Sequence, residues 1–241
     1  MLLGDEALDR LRLSTVVVAG LGGVGAYAAE MTARAGVGRM ILIDSDKVSE
    51  SNKNRQLLAL DSTVGQSKTD VMAARLLDIN PDLRIVKVPE YLTEDNVSAV
   101  LDSALKEMAF AGTVVRPDFV IDAIDTLSPK IALIAHCVHN GIPLVSSMGS
   151  GAKLDATKVR LADISKSYNC PLAFILRKRL RKIGISKGFQ AVFSEELPER
   201  EAIVPTEGER NKKSQVGTVS YLPAVFGCIC AQAAVRHLCG K

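Results

Sequence analysis

Aromatic residues are scarce in this 241-residue sequence, which contains no tryptophan and has an aromatic content of 4%. Proteins that bind single-stranded nucleic acid usually present aromatic rings on which bases stack, so the composition gives no sign of a stacking platform. The five cysteines form no CxxC pair, which argues against a structural zinc site of the usual spacing. Their odd number argues against a disulfide framework, and we expect them to be small buried hydrophobic residues.

The sequence also lacks a secretory signal and a long hydrophobic run. Its first nine residues show no basic start, long apolar core or small-residue cleavage site. The most apolar late stretch, LPAVFGCICAQAAV, is 14 residues long, whereas a helix needs about 20 apolar residues to span a bilayer. We therefore expect a soluble, cytoplasmic protein with no membrane partner.

A strong excess of charge of either sign is absent as well. The formal net charge is +3, which is too small to indicate a nucleic-acid-binding protein by itself. Hydrophobic residues make up 47% of the chain, enough for a sizeable core, and the length suits one large domain with or without an appendage.

Strand and helix patterns alternate through residues 1–151. The runs STVVVAG, RMILID, LRIVKV, DFVID and IPLVSS predict five buried parallel strands with helices between them. This pattern predicts an α/β fold, a Rossmann-like doubly wound and mostly parallel sheet. For residues 152–241 we expect an extension of the same compact domain, with two strands, a basic helix, a polar loop over residues 198–214 and a terminal helix after a turn at Pro223.

A glycine turn follows the first predicted strand and precedes a predicted helix. Its sequence, GLGGVG, contains Gly20, Gly22 and Gly23 and fits the G-x-G-x-x-G pattern. Glycines allow backbone N–H groups to approach a phosphate at a helix N-terminus, and Asp44, after the second predicted strand, can accept hydrogen bonds from a ribose. We predict a nucleotide site here over a purely structural turn, although these residues would serve NAD and ATP equally.

Polar residues beyond Asp44 favour ATP. Asn52, Arg55 and Gln56 follow closely in the loop SESNKNRQ, and Lys68 opens the next predicted helix. An arginine and a lysine together neutralise a polyphosphate and the charge that grows as a phosphoryl bond breaks, whereas hydride transfer requires an apolar slot for nicotinamide. The alternative is a solvated charged loop without a ligand.

Two aspartates stand at the exit of the fourth predicted strand. Asp122 and Asp125 lie where ligands bind in open α/β sheets. A carboxylate at this place can hold Mg²⁺, which prefers oxygen ligands. Asp125 is the stronger candidate and Asp122 the weaker.

The combined motifs resemble the ubiquitin-activating-enzyme-like adenylating superfamily, which includes ThiF and MoeB. The resemblance is carried over residues 2–151 by the runs GLGGVG, LIDSDKVSESNKNRQ, VGQSKTDVMAARLLDINP and VIDAIDTLSPK. The later run IPLVSSMGSGAKLDATKVRLADISKSYNCPLAFILRKRLRK is similar to the tRNA threonylcarbamoyladenosine dehydratase branch, in which a basic helix follows a PLA segment. Sulfur-carrier activators in the superfamily typically carry zinc CxxC pairs, which this sequence lacks.

The resemblance implies roles for individual residues. Arg55, Lys68 and Asp125 would be catalytic, and Asp125 would also bind Mg²⁺ or orient the reacting phosphate. Residues 1–151 would form the ATP-binding adenylation region. The ATP-binding set would comprise Gly20, Gly22, Gly23, Asp44, Asn52, Arg55, Gln56, Lys68 and Asp125.

The resemblance also implies a reaction, the ATP-dependent cyclisation of N6-threonylcarbamoyladenosine in tRNA. The carboxylate of the modified base would attack the α-phosphate of ATP, and the acyl-adenylate would then close a ring within the same side chain and release AMP. One alternative is adenylation of the C-terminal carboxylate of a ubiquitin-like sulfur-carrier protein. Others are a nucleotide-binding scaffold without catalysis, which the retained Arg55 and Lys68 disfavour, and an NAD-dependent oxidoreductase.

Three features depart from the family pattern. Relatives usually begin with a longer arm whose arginine reaches the partner subunit's ATP site, and MLLGDEAL offers no counterpart. Cys170 stands where relatives usually carry an acid before PLA. Residues 195–221 contain no cysteine, so a thioester or persulfide step is not expected there. The resemblance further implies a homodimer and leaves open a cysteine desulfurase or sulfur-acceptor partner.

Basic residues concentrate in one predicted helix, PLAFILRKRLRKIG. Leu176, Leu180 and Ile183 would form its buried face. The charges fit either an ordinary solvated face or a surface that neutralises phosphates, and the resemblance favours tRNA. The tRNA-binding candidates are Arg177, Lys178, Arg181 and Lys182, with Arg179 and Lys187 nearby and further cations at Lys212 and Lys213.

Two histidines, His136 and His139, lie three residues apart on the helix after Asp125. They could face a metal ion, but no third ligand has a suitable spacing. We expect packed or capping histidines.

Overall fold

The structure is a computed structural model, and it describes residues 2–109, 114–205 and 214–241. Within these ranges a seven-stranded sheet has the order β3-β2-β1-β4-β5-β7-β6, in which β6 is antiparallel to β7 and the other pairs are parallel. The strands are β1 (Thr15–Ala19), β2 (Arg39–Ile43), β3 (Arg84–Val88), β4 (Phe119–Asp122), β5 (Leu144–Ser147), β6 (Val159–Asp163) and β7 (Gln190–Ser194). A separate antiparallel ribbon pairs β8 (Ile203–Pro205) with β9 (Ser214–Val216).

Helices cover both faces of the sheet. They are α1 (Asp5–Leu13), α2 (Gly25–Arg34), α3 (Lys68–Ile79), α4 (Val97–Met108), α5 (Leu127–His139), α6 (Pro171–Lys182) and α7 (Tyr221–Leu238). Alternate residues of each strand point to opposite faces: Val16 and Val18 pack with α1, α2, α3 and α7, whereas Val17 and Ala19 pack with α4, α5 and α6. The predicted doubly wound fold is confirmed.

Three local features differ from the sequence predictions. Helix α1 was not predicted from the sequence. Part of the predicted polar loop forms the β8–β9 ribbon. Helix α7 begins at Tyr221, so Pro223 lies in its first turn and not in a turn before it. A proline is tolerated there because the first N–H groups of a helix have no partner within the helix.

The apolar surface of α7 is used inside the chain. Its Gly227 packs directly on α2, since an added Cβ would lie 2.4 Å from the carbonyl oxygen of Val24. Phe226 and Cys230 are fully buried among α2 and the sheet. Because these residues are covered within the chain, the apolar composition of α7 gives no support for a dimer interface, and the homodimer remains an implication of the resemblance alone.

Four of the cysteines are buried and all five are free thiols. Burial raises the pKa of the Cys137 and Cys230 thiols to about 12, so both stay protonated. The exception to the expected burial is Cys228, which is exposed on α7.

In the ranges that the structure describes, no helix is both long and apolar enough to cross a membrane.

Candidate functional site

The glycine turn joins β1 to α2 at the carboxyl edge of the sheet. Gly20 has a φ of +88°, and an added Cβ would lie 2.7 Å from the carbonyl oxygen of Ala123. Gly25 lies so close to Gly20 that its added Cβ would be 1.7 Å from the Gly20 carbonyl oxygen. Gly22 is different, because the nearest atom to its added Cβ is Nε2 of Gln56 at 3.7 Å. Packing therefore requires glycine at positions 20 and 25, whereas a Cβ at position 22 would make only an ordinary contact with Gln56.

Asp44 connects the end of β2 to this turn. Its Oδ2 accepts a hydrogen bond from the Leu21 N–H at 2.6 Å, and its Oδ1 accepts one from the Asp46 N–H at 2.8 Å. Burial raises the pKa of Asp44, against the opposing effects of the Lys68 charge and the two N–H donors. The predicted ribose acid is thus held rigidly against the glycine turn.

Lys68 belongs to the same polar cluster. It is the first residue of α3 and is 4% exposed, and its Nζ lies 2.9 Å from Oδ2 of Asp46. Its backbone N–H also donates to the Asp46 carbonyl at 3.0 Å. Asp46 was not among the predicted site residues, although the second acid in LIDSD was an available signal.

Arg55 and Gln56 approach the turn from the polar loop. The Cγ of Arg55 lies 3.5 Å from the position of a Cβ on Gly23, and its Nη1 donates to the Ser51 carbonyl at 3.0 Å. Gln56 is buried beside Gly22, and its Oε1 has no hydrogen-bond partner in the described part of the chain. The two side chains therefore lie against the glycine turn, Gln56 beside Gly22 and Arg55 beside Gly23.

Asn52 has a local role in the same loop. It ends a 3₁₀ turn over Glu50–Asn52, and its Oδ1 accepts a hydrogen bond from the Ser49 N–H at 3.2 Å. This bond fixes the loop on which Arg55 and Gln56 lie.

Asp122 and Asp125 have different environments. Asp122 is fully buried, 2.6 Å from Nζ of the equally buried Lys130, and Oγ of Ser146 donates to the same oxygen at 2.6 Å. This geometry corrects the prediction of Asp122 as a weaker Mg²⁺ ligand, because its carboxylate faces internal partners. Asp125 is exposed beyond the end of β4, which lies next to β1. Lys130 was also not among the predicted site residues. Its position within an apolar helical pattern could have indicated a buried ion pair.

The residues fit a nucleotide and a metal that arrives with it. Gln56 lies beside Gly22, and the described residues supply no hydrogen-bond donor for its Oε1. This arrangement suits a bound polar ligand at the N-terminus of α2. No group of three His, Cys, Asp or Glu residues in the described ranges could hold a metal by itself. Mg²⁺ commonly uses one or two carboxylates together with substrate phosphates, and Asp125 offers such a carboxylate. His136 and His139 belong to no such group.

Helix α6 presents its cations to solvent. Lys178, Arg179, Arg181 and Lys182 are exposed, and none forms an ion pair with a described residue. Arg177 is half-buried, and its Nη1 donates to the Ser167 carbonyl at 2.6 Å, so it fastens α6 to the preceding turn.

The buried face of α6 differs from the prediction at one position. Leu176 and Leu180 are buried as expected, but Ile183 follows the last turn of the helix and is 46% exposed. Ile185 is buried in its place, because the chain turns back at Gly184, whose φ is +81°. Lys187 is exposed. The further cations Lys212 and Lys213 lie outside the described residues.

Comparison with known proteins agrees with this geometry. Residues 1–241 match the sequence profile of the ThiF family. The chain is 42% identical over 243 residues to the tRNA threonylcarbamoyladenosine dehydratase of Bacillus subtilis, with 98% of this chain and 91% of that protein covered. Its fold is similar to that of the Escherichia coli tRNA N6-threonylcarbamoyladenosine dehydratase in complex with ATP, with a TM-score of 0.85 and 36% identity over 100% of this chain and 91% of that chain. The AMP complex of that enzyme gives a TM-score of 0.84, with 36% identity over 100% and 92% of the two chains. The full-length match and the shared fold together place this chain in the ThiF family.

Proposed function

We propose that this protein is an ATP-dependent tRNA threonylcarbamoyladenosine dehydratase, which cyclises the modified base through an acyl-adenylate. The observation that carries the proposal is the convergence of Arg55, Lys68 and the glycine turn at the carboxyl edge of the sheet. We infer the substrate from its full-length relative, a tRNA threonylcarbamoyladenosine dehydratase. We infer the nucleotide from the ATP and AMP complexes of the E. coli enzyme.

The glycine turn would bind the phosphates of ATP. Backbone N–H groups around Gly22 and Gly23 lie at the N-terminus of α2, where the helix dipole favours negative charge. Asp44 would accept hydrogen bonds from the ribose through the lone pairs that Leu21 and Asp46 leave free. Gln56 would accept a hydrogen bond from the nucleotide through its Oε1, beside the glycine turn. Asn52 would donate to the nucleotide through its amide nitrogen.

Arg55 and Lys68 would stabilise the charge that develops on the phosphates. When the substrate carboxylate attacks the α-phosphate, a P–O bond to pyrophosphate breaks and negative charge grows on the leaving group. Lys68 would move from Asp46 to the phosphate chain, and Arg55 would move from the Ser51 carbonyl. Both cations already lie beside the glycine turn, but each would exchange its present partner for a phosphate oxygen.

Ring closure needs less help from the protein. The acyl-adenylate and its nucleophile belong to one side chain, which gives the attack a high effective concentration. A carboxylate oxygen of the substrate leaves as part of AMP, so the overall change in the base is the loss of water.

Asp125 would hold Mg²⁺ beside the phosphates, where the ion supplies further charge neutralisation. The carboxylate is exposed at the end of β4, so it is accessible to a metal that enters with the nucleotide. Asp122, three residues earlier, would act by fixing the end of β4 through Lys130 and Ser146.

The exposed cations of α6 would bind tRNA phosphates. We propose this role for Lys178, Arg181 and Lys182. Arg177 is no longer a candidate for it, because its guanidinium donates hydrogen bonds to Ser167. Residues 1–151 would thus form the adenylation region and residues 152–241 the RNA-binding extension of the same domain. A cytoplasmic location would follow from a tRNA substrate and belongs to the same proposal.

The partners would include a second copy of the chain. Light scattering at micromolar concentration should give a mass near twice the 25.8 kDa of one chain, and a monomeric mass would contradict the homodimer. A cysteine desulfurase or sulfur-acceptor partner is a weaker implication of the family resemblance.

The decisive experiment measures AMP and pyrophosphate release with tRNA that carries the carboxylate-bearing modification. We expect release with modified tRNA, no release with an unmodified transcript, and a cyclised base by mass spectrometry. Release stimulated instead by a protein with a di-glycine tail would favour activation of a sulfur carrier. Nucleotide binding without any release would favour a scaffold.

A further inference from the structure

An aromatic side chain lies exposed on the basic helix. Phe174 is 61% exposed and its neighbour Ile175 is 43% exposed, although both are large apolar residues in a protein with a well-covered core. The described residues provide no apolar cluster that includes either side chain. Such a patch commonly marks a binding surface.

Phe174 shares its helix face with exposed cations. Residues four and seven positions later on a helix lie on the same side, which aligns Phe174 with Lys178 and Arg181, and all three are exposed. Helix α6 contains no acidic residue. The exposed face therefore combines a flat apolar ring with several positive charges.

The N-terminal end of this face lies near the edge of the sheet that carries the nucleotide site. The N-terminus of α6 packs on the loop after β5, since an added Cβ on Gly149 would lie 3.6 Å from Sγ of Cys170. Strand β5 is parallel to β4, and β4 to β1, so their carboxyl ends share one edge with the glycine turn. Phe174 lies in the first turn of the helix, at the end closest to that edge.

We infer that Phe174 stacks on an unpaired base of the RNA substrate beside the modified adenosine, while Lys178 and Arg181 bind the adjacent phosphates. The inference rests on the proposed function and adds a residue that positions the substrate. Every base has an apolar face that can stack on a ring, and the charge of the surface complements an RNA backbone. Docking of a second copy through the same face would bring like charges together.

The absence of natural tryptophan allows a direct test. A Phe174→Trp variant carries a single tryptophan, and stacking on a base quenches its fluorescence. A matched control is Leu77→Trp, since Leu77 is 42% exposed on α3, which lies on the other face of the sheet. The probes are an RNA hairpin with an unpaired anticodon-type loop, a blunt RNA duplex and anionic phospholipid vesicles.

We expect saturable quenching of the Phe174→Trp protein by the hairpin, weaker quenching by the duplex, and no change in the Leu77→Trp protein. Equal responses of the two variants, or equal quenching by hairpin and duplex, would overturn the inference. A response of the Phe174→Trp protein to vesicles alone would overturn it in favour of membrane docking.

Kinetics provide a second readout. Phe174→Ala should raise the KM for modified tRNA roughly 5- to 150-fold, as expected for the loss of one base stack, with the KM for ATP unchanged. Phe174→Tyr should restore most of the loss, and an unchanged KM in the alanine variant would count against stacking. If the wild-type protein releases no AMP with any tRNA, the proposed function fails, but the fluorescence experiment still decides whether Phe174 contacts an unpaired base.

Discussion

Two cationic regions of this protein are built in opposite ways. At the nucleotide end of the sheet, Lys68 is paired with Asp46, Lys130 with Asp122, and Arg55 with a backbone carbonyl. On α6, Lys178 and Arg181 extend into solvent without a carboxylate partner in the described ranges. One region holds its charges through bonded partners, and the other exposes them at the surface without ion pairs in the described ranges.

The difference matches the size of the ligand that each region would bind. A triphosphate presents a few charges at fixed spacing, so cations that are already held near the site suit the stabilisation of its transition state. A tRNA backbone presents many phosphates, and exposed surface cations that neutralise them release the counterions condensed on the RNA. The strength of the buried Lys130–Asp122 pair should therefore depend little on salt, whereas phosphate binding by the exposed cations of α6 should depend on it strongly.

The largest expected effect comes from breaking the buried pair at the nucleotide end. Lys130→Met leaves the Asp122 carboxylate buried without its cation, which should reduce the free energy of unfolding by about 3–5 kcal/mol. Urea denaturation monitored by circular dichroism measures the change. The double variant Lys130→Met with Asp122→Asn should recover part of the loss, because it removes both charges. A single variant as stable as the wild-type protein would contradict the assigned role of the pair.

The next effect concerns catalysis without unfolding. Arg55→Ala removes a cation beside Gly23 and should slow adenylation by about 10²-fold or more, measured as pyrophosphate release. Lys53→Ala is the matched control, since Lys53 lies in the same loop but is paired with Asp61. Near-normal release by the Arg55 variant would show that the loop arginine does not serve the phosphates.

Neutralising α6 should weaken tRNA binding and leave the fold intact. With Lys178, Arg181 and Lys182 changed to glutamine, the slope of log affinity against log salt should fall by about 0.7–0.9 for each phosphate that the variant no longer neutralises. Filter binding over a range of salt concentrations measures the slope, and ATP binding should be unchanged.

A charge-matched control for α6 changes Arg12, Lys106 and Lys158, which are exposed on other elements. If both triple variants show the same decrease in slope, the effect comes from net charge and not from the α6 surface.

The smallest effect tests a pair at the α2–α3 contact. Burial opposes ionisation of Glu30, but its bonds to Arg75 and Arg34 outweigh that effect and lower its pKa in the folded state. The resulting stability is present above the ordinary glutamate pKa and is lost as the pH falls through the lowered value. Glu30→Gln should therefore cost about 1 kcal/mol near neutral pH, and urea denaturation should show the difference vanishing as the pH falls below the lowered pKa of Glu30. A difference that is constant with pH would mean that ionic pairing is not its source.

The features that the sequence predicts correctly are those whose signals are local. The G-x-G-x-x-G motif requires a strand before it and a helix after it, so Gly20 and the order of neighbouring elements could be found by inspection. The position of Asp44 against the glycine turn follows from its place at the end of the second strand, whereas its role towards a ribose stays a prediction. Lys130 was missed, although it lies eight residues after its partner, because the pairing depends on a helix packing its buried face under the end of β4.

Other features depend on contacts between distant segments. The sequence pattern of α6 indicates a basic amphipathic helix. It does not indicate the hydrogen bond from Arg177 to Ser167, because that bond forms only when the turn before α6 is folded. The exposure of Phe174 could not be predicted for the same reason, because a phenylalanine in an amphipathic helix is usually buried.

Periodicity and motif spacing specify the order of strands and helices, because these properties depend on neighbours in the chain. Burial and ion pairing are set by which surfaces meet, and they depend on segments far apart in sequence. Folding therefore determined that Asp122 faces Lys130, that Asp125 faces solvent, and that the ring of Phe174 lies exposed among the cations of α6.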